Sequence, residues 1–340
     1  MESRNTEDPL SMERFRDIMN LVRWGNLLFL AVLIWVMEKW VAVSVFYTFG
    51  LPEVLPEPVL WLLIAATVLI AAGGYVINDY FDIKIDRINR PDRVIVSETV
   101  SKPAAMRLSI GLSATGMVLG ILTAVLVHSW TLGVIFILVP GLLWFYSSAY
   151  KRQFVIGNLI VAFVSAVTPF LVGLANESMF GSFLESRDLV TITDRLAPSI
   201  TYLYAWLGGF SALIFLYTWI REILKDMQDQ MGDRELECRT MPIKWGESGT
   251  KIFVTVLTVL TMALLCWLQW GVLPFPHEWN SLSTRFLVFG MLIPLACVLW
   301  LMWAGRISSD YRNAQLLMKF AMFLGLMYSF VIHHYLCASF

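Results

Sequence analysis

Long apolar runs alternate with short polar stretches along this chain, and the runs are long enough to cross a bilayer. About 20 apolar residues span the hydrocarbon layer as a helix. Runs of that length lie near 24–48, 58–78, 106–127, 130–148, 155–175, 200–222, 251–273, 285–304 and 315–337. The pattern predicts an all-α, polytopic membrane protein, with residues 23–340 forming one domain of nine transmembrane helices. Glu38 and Lys39 interrupt the first run and predict a tilted helix or a break towards its outer end. The first twenty residues are polar, carry both signs and lack the apolar core of a cleavable signal peptide. Phe15, Ile18, Met19 and Val22 recur at helical spacing, so segment 1–22 is expected to carry a short interfacial helix on the cytoplasmic side.

Charge in the connecting loops alternates. Arg4, Arg14, Arg16 and Arg23 precede the first run, and Lys84 to Arg107 lie between the second and third. Lys151 and Arg152 follow the fourth run, Lys225 to Lys251 surround the sixth-to-seventh loop, and Arg306 and Arg312 follow the eighth. The intervening loops are poor in Lys and Arg or carry excess acid. The positive-inside rule then places the N-terminus in the cytoplasm and the C-terminus outside, in the cell (inner) membrane. Span count and charge bias are independent readings, and they agree.

Two acidic rows close apolar runs on the predicted cytoplasmic side. Asn78, Asp82 and Asp86 fall at i, i+4 and i+8, on one face of a helix. Glu222, Asp226, Asp229 and Asp233 fall at i, i+4, i+7 and i+11, on one face of another. Ionisable groups at membrane depth are costly and carry a functional reading by default. Asp82–Arg87 and Asp229–Arg234 also share the pattern D-x-x-x-D-R, an internal echo that predicts two similar halves with a site between them.

Composition narrows the chemistry. The chain is 58% hydrophobic and 15% charged, with mean hydropathy +0.67 and net charge -1, so no basic field points to nucleic acid. Cys238, Cys266, Cys297 and Cys337 are scattered, which suggests neither a disulfide framework nor a zinc site. His333 and His334 lie near the outer end of the last run, far from the acidic rows. Most of the 22 Phe and 14 Trp are expected in packing and interfacial belts. The rows therefore make a hard, all-oxygen donor set, which suits Mg²⁺ bridged to substrate phosphates. Two such ions could neutralise a diphosphate as its C–O bond breaks, with Arg and Lys binding the departing oxygens. A prenyl diphosphate would fit both the site and the bilayer. Tyr80, Phe81, Tyr146 and Tyr150 are candidates to shield the allylic cation.

These residues resemble the UbiA superfamily of intramembrane prenyltransferases. Asn78-Asp79-Tyr80-Phe81-Asp82 through Asp86 resembles its first Asp-rich motif. Arg221 through Arg234, followed by Thr240-Met241-Pro242-Ile243, resembles its second. Arg23-Trp24-Gly25-Asn26 is similar to the first-helix R-P-x-N, with Trp for Pro, and Tyr146 through Arg152 with Gly157-Asn158 is similar to the stretch after the fourth helix. The resemblance implies a nine-helix bundle and a first Mg²⁺ on Asn78, Asp82 and Asp86. It implies a second on Asp229 and Asp233, with Glu222 and Asp226 as helpers and Mn²⁺ as a possible substitute. Lys151, Arg93 and Lys225 would contact diphosphate and Asn26 would line the pocket. Arg23, Tyr146, Arg152 and Asn158, in the matching stretches, are further substrate-binding candidates.

The second motif is most similar to that of enzymes joining a geranylgeranyl group to geranylgeranylglyceryl phosphate. The expected partners are thus a prenyl diphosphate donor, a lipophilic acceptor and membrane lipids. An aromatic quinone precursor is the alternative acceptor. A cation transporter is the alternative class, disfavoured because both rows lie on one side and no charge continues through the middle of the spans. Two departures stand out. The loop after the first motif often reads R-P-L-P-S-G but is Arg93-Val94-Ile95-Val96-Ser97-Glu98 here, which would bring a carboxylate near the diphosphate. Cys238 stands where glycine is common.

Overall fold

The computed structural model describes residues 9–185, 190–273, 277–305 and 308–338. Helix α1 (Pro9–Leu21) precedes α2 (Trp24–Val36), which runs through a π-turn at Met37–Ala42 into α3 (Val43–Thr48). Then come α4 (Glu57–Asn89), α5 (Lys102–Leu126), α6 (Trp130–Ser148), α7 (Ile156–Glu185), α8 (Val190–Gln228) and the short α9 (Gln230–Glu235). The chain closes with α10 (Met241–Trp267), α11 (His277–Leu287), α12 (Ile293–Ala304) and α13 (Ser308–Ala338). Outside helices, the described residues hold a lone bridge between Val96 and Val100.

Nine stretches among the described residues are long and apolar enough to cross a membrane, each overlapping one of the expected runs. The chain is an integral, multi-pass membrane protein. Several helices outlast their apolar parts. The second stretch reaches Asn89 and the sixth reaches Gln228, because the acidic rows contain no helix breaker. Pro91 ends α4 by excluding helical geometry from the residue before it, Arg90, whose φ is -149°. The acidic side chains therefore ride on helical extensions that project past the apolar part of the bundle.

The interruption at Glu38 and Lys39 is the π-turn, not a simple tilt or break. Its wider winding turns Glu38 inward and Lys39 outward. Glu38 is fully buried and accepts a hydrogen bond from Asn176 Nδ2 at 2.6 Å. Lys39 reaches Glu53 and Glu57 in the following loop.

One large apolar core runs through the bundle, with a smaller satellite beside the first acidic row. The satellite joins Leu21 of α1, Val76 and Ile83 of α4, Ala105 of α5 and Val96, with Ile95 and Val100 against it. Packing thus fixes the loop that lacks the usual prolines. Glu98 does not approach the acidic rows: its carboxylate takes a 3.0 Å hydrogen bond from Arg87 on the exposed side.

Helices α4 and α5 approach closely enough for Ser109 Oγ to donate to the Gly73 carbonyl at 2.8 Å. Small residues allow such contact between membrane helices, where dispersion and hydrogen bonds replace hydrophobic drive. A Cβ at Gly73 would sit 2.2 Å from Ser113 Oγ and 2.9 Å from the Ser109 carbonyl. We expect Gly73→Ala to lower stability by roughly 1–3 kcal/mol, the usual cost of overpacking. Thermal unfolding of the purified protein in detergent would show it. An unchanged midpoint would mean that the two helices can part freely.

Candidate active site

The acidic rows meet at one end of the bundle around a polar cavity of about 740 Å³. Asp82 and Asp86 face it from α4, Asp226 from α8, and Asp229 and Asp233 from the segment around α9. Cations line the same space: Lys151 and Arg152 from the turn after α6, Lys225 from α8, Arg23 from the α1–α2 junction and Arg90 from the end of α4.

The second row is not one straight helical face. Asp229 separates α8 from α9, with φ -95° and ψ 11°. Asn89, at the end of the first row, makes the break. Its Nδ2 donates to the Asp229 carbonyl at 3.1 Å, and its Oδ1 accepts from Gly232 N–H at 2.8 Å. A side chain inserted into a helix ladder bends it. Gly232 permits this approach, since a Cβ there would lie 2.6 Å from Asn89 Nδ2. The two D-x-x-x-D-R segments thus differ: the first lies on a continuous helix and the second straddles a bend.

Most carboxylates already have internal partners. Asp82 is held by Lys151 Nζ and by Asn78 Nδ2, the latter at 2.7 Å. Arg90 NH2 contacts both oxygens of Asp229, at 2.6 and 2.9 Å. Asn158 Nδ2 donates to Asp226 at 2.9 Å, and Thr240 Oγ1 to Asp233 at 3.0 Å. Arg23 binds Asp79 at 2.7 Å and lies over the Tyr75 ring. Its backbone is left-handed, with φ 55°, and this geometry swings α1 away from α2. Among the described residues, Asp86, Lys225 and the Arg152 guanidinium face the cavity with no hydrogen bond or ion pair of their own.

Protonation follows these surroundings. Burial raises the Asp233 carboxyl to about 6, although the Thr240 hydrogen bond opposes the rise. Burial works against the Lys151 ammonium, but nearby Asp82 and Tyr146 outweigh it and hold the group firmly protonated, above its ordinary value. Asp79 does the same for Arg23. Burial pushes the Cys238 thiol up to about 11, so this cysteine is inert at neutral pH.

Several expected site residues support the cavity from behind. Asn78 braces Asp82 and contacts Lys151 at 3.3 Å. Asn158 holds Asp226. Tyr146 is buried, within electrostatic reach of Lys151, Glu222, Asp82 and Asp226. Glu222 is buried and paired with Arg221 at 2.6 Å, and is not among the cavity-lining residues. Asn26 bonds to Tyr75 and Lys319 beside the cavity. The side chain of Arg93 lies outside the described residues. None of Tyr80, Phe81, Tyr146 and Tyr150 lines the polar cavity, and Phe81 packs edge-on against Trp144.

Sequence reasoning missed the Asn89 clamp, the pairing of Arg90 with Asp229, and Thr240 as the brace of Asp233. Arg90 lies four residues after Asp86, which was the available signal. It also overlooked Lys319, which lies inside the ninth span, while Glu38, read as an interruption of the first, is buried there.

An all-helical membrane bundle with a carboxylate- and cation-lined cavity at one end defines a class of integral membrane proteins with a charged site at the end of the bundle. The chain belongs to the UbiA prenyltransferase family, whose sequence profile matches residues 39–327. It is 33% identical to the digeranylgeranylglyceryl phosphate synthase of Ignicoccus hospitalis over 77% of each chain. It is 32% identical to the enzyme of that name from Sulfolobus acidocaldarius, over 59% of this chain and 62% of that one, just under two thirds of the relative. A solved structure concerning digeranylgeranylglyceryl phosphate synthase in membranes shares the fold, with a TM-score of 0.58 and 23% identity over 94% of this chain and 98% of that one. So does a UbiA homolog from Archaeoglobus fulgidus bound to GPP and Mg²⁺, with a TM-score of 0.54 and 14% identity over 92% and 99% of the two chains.

The clamp yields a direct expectation. Asn89→Ala strands the Gly232 N–H and frees the bend, at a cost of about 1–3 kcal/mol for a lost buried partner. Thermal unfolding should report the loss, and amide exchange around α9 should quicken. Wild-type exchange there would mean that the bend is held by something else.

Proposed function

We propose that this chain is an Mg²⁺-dependent prenyltransferase that moves a geranylgeranyl group from its diphosphate to the hydroxyl of geranylgeranylglyceryl phosphate. The observation that carries this reading is the union of both acidic rows with Lys151, Arg152, Lys225, Arg90 and Arg23 around one cavity. The relatives' shared name supports the acceptor.

The donor set fits Mg²⁺. Carboxylate oxygens dominate it, and the one nearby thiol is buried and protonated. Among the described residues, no three His, Cys, Asp or Glu side chains converge to hold an ion alone. An ion here would complete its shell with phosphate oxygens, as Mg²⁺ commonly does. Asp82 and Asp86, braced by Asn78, would hold one ion, and Asp229 and Asp233, with Asp226 near, a second. Mn²⁺ would substitute. The ions would supply Lewis-acid neutralisation of the leaving diphosphate.

Lys225 and Arg152 meet the diphosphate oxygens directly. Lys151 and Arg90 sit one carboxylate away and share that field. The C1–O bond of the donor breaks, with its electron pair leaving on diphosphate. The acceptor hydroxyl oxygen bonds to C1 and its proton passes into the polar cavity, so the products are the ether and diphosphate. The prenyl tail leaves the polar end for the apolar bundle or lipid.

Purified protein should convert geranylgeranyl diphosphate and geranylgeranylglyceryl phosphate to the diether phosphate, read by product mass, and a chelator should stop the reaction. Asp82→Ala, Asp86→Ala, Asp229→Ala and Asp233→Ala should each lose at least about a hundredfold in rate, the scale of one preorganised charge-stabilising group. Near-normal turnover in any two of the four would sink the two-ion assignment. Product formed only with homogentisate or hydroxybenzoate would reassign the acceptor.

The loop charges orient the cavity to the cytoplasm, where a charged diphosphate needs no passage across lipid. In the same reading α1 lies along that membrane surface, with Phe15 and Ile18 exposed. In a cysteine-free background, Ser97→Cys and Ser248→Cys should react with an impermeant thiol reagent from the cytoplasmic side only, and Ser182→Cys from the outside only. Labelling of Ser97→Cys and Ser182→Cys from one side would overturn this topology.

A further inference from the structure

The helical ladder is intact on either side of the bend at Asp229. Asp229 N–H reaches the Lys225 carbonyl at 2.9 Å, and Asp233 N–H reaches the Asp229 carbonyl at 3.1 Å. Between them the ladder is open. Gly232 N–H, which a continuous helix would give to the Gln228 carbonyl, goes to Asn89 instead. The Gln228 carbonyl takes a replacement from another helix: Ser308 Oγ, at the start of α13, donates to it at 3.3 Å. Two turns on, Gln315 Nε2 donates to the side-chain Oε1 of the same Gln228 at 2.8 Å. Ser308 and Gln315 are seven residues apart and share one face of α13.

One broken backbone bond is thus shared between two helices. From α4 comes the acceptor for its N–H, and from α13 the donor for its carbonyl. The Met227 carbonyl, also at the break, is met locally by Gln230 Nε2 at 3.0 Å. The acids of the second row straddle this point: Asp226 precedes the break, Asp229 forms it and Asp233 follows it. Their relative placement therefore depends on the angle at the break. A hold from α4 alone would leave the end of α8 free to pivot about Asn89. The grip of α13 on Gln228, the residue next to Asp229, removes that freedom.

We infer that Ser308 and Gln315 are positioning residues for the second ion: through Gln228 they set the bend that turns Asp226, Asp229 and Asp233 into one cavity. Neither lines the cavity itself. This rests on the two-ion prenyl-transfer reading above and deepens it, because it ties the ninth span to one ion and not to the other. The first row sits on the continuous helix α4, and among the described residues Asn78, Asp82 and Asp86 make no hydrogen bond to α13. Loss of the α13 contacts should accordingly weaken one ion and spare the other.

Two measurements on the full-length protein in nanodiscs test this. In the first, bound Mn²⁺ is counted by electron paramagnetic resonance with inorganic diphosphate present. The wild type should bind two ions. The double variant Ser308→Ala, Gln315→Leu should keep one at wild-type affinity and bind the other about tenfold more weakly, the scale of one or two lost hydrogen bonds. Ser308→Thr, which keeps the hydroxyl, should bind both normally. The retained tight ion also shows that the double variant is folded. In the second, the Mg²⁺ needed for half-maximal transfer should rise about tenfold in the double variant. At saturating Mg²⁺ its kcat and its KM for geranylgeranyl diphosphate should return to within about twofold of the wild type. Unchanged Mn²⁺ binding, equal weakening of both ions, or a wild type that binds fewer than two ions overturns the assignment. So does an unshifted Mg²⁺ dependence in an active enzyme. Selective weakening of one ion, without transfer to any acceptor by the wild type, keeps the positioning role and rejects the transfer reading.

Discussion

Charge compensation at the polar end of an apolar bundle is the constraint on which this structure turns. An uncompensated carboxylate there costs several kcal/mol or surrenders its charge. The chain brings a cation, amide or hydroxyl to most of these acids: Lys151 and Asn78 to Asp82, Arg90 to Asp229, Asn158 to Asp226 and Thr240 to Asp233. These partners come from the ends of α4, α6 and α7 and from the loop before α10. The electrostatics thereby pins together elements that are far apart in sequence. The same contacts keep several carboxylates and cations within one cavity, which is the arrangement that diphosphate chemistry needs.

The two acidic rows are also mechanically joined. Asn89 bonds both sides of the bend at Asp229, and Arg90 follows it onto the Asp229 carboxylate. A shift of α4 along its axis would drag α9 with it.

Much of this was legible in the sequence, because bilayer thickness imposes a length on every span and positive charge marks the loops. The nine runs were therefore readable from hydropathy, and the acidic rows stood out as charge where charge is costly. Asp82, Asp86, Asp226, Asp229, Asp233, Lys151 and Lys225 do line one cavity. Helical spacing could not show the bend at Asp229, since its cause is a side chain from another helix. Nor could it show that Glu222 turns to Arg221, or that Glu98 turns away to Arg87, because either acid had cations on more than one side to choose from. Lys319 was visible as a lysine in an apolar run. Its partner Asn26 lies far from it in the chain, so only folding gave it a context.

The π-turn at Met37–Ala42 has a consequence for how the first span addresses its surroundings. Each residue advances an α-helix by about 100°, so one inserted residue rotates everything beyond it by that amount. Before the turn, Asn26 is phased towards Tyr75 and Lys319. After it, Ser44 is phased towards His333, with its Oγ 2.6 Å from Nδ1. A uniform helix would fix one of these alignments from the other. The wide turn sets the offset between them, and both ends of the span meet α13, Asn26 at Lys319 and Ser44 at His333.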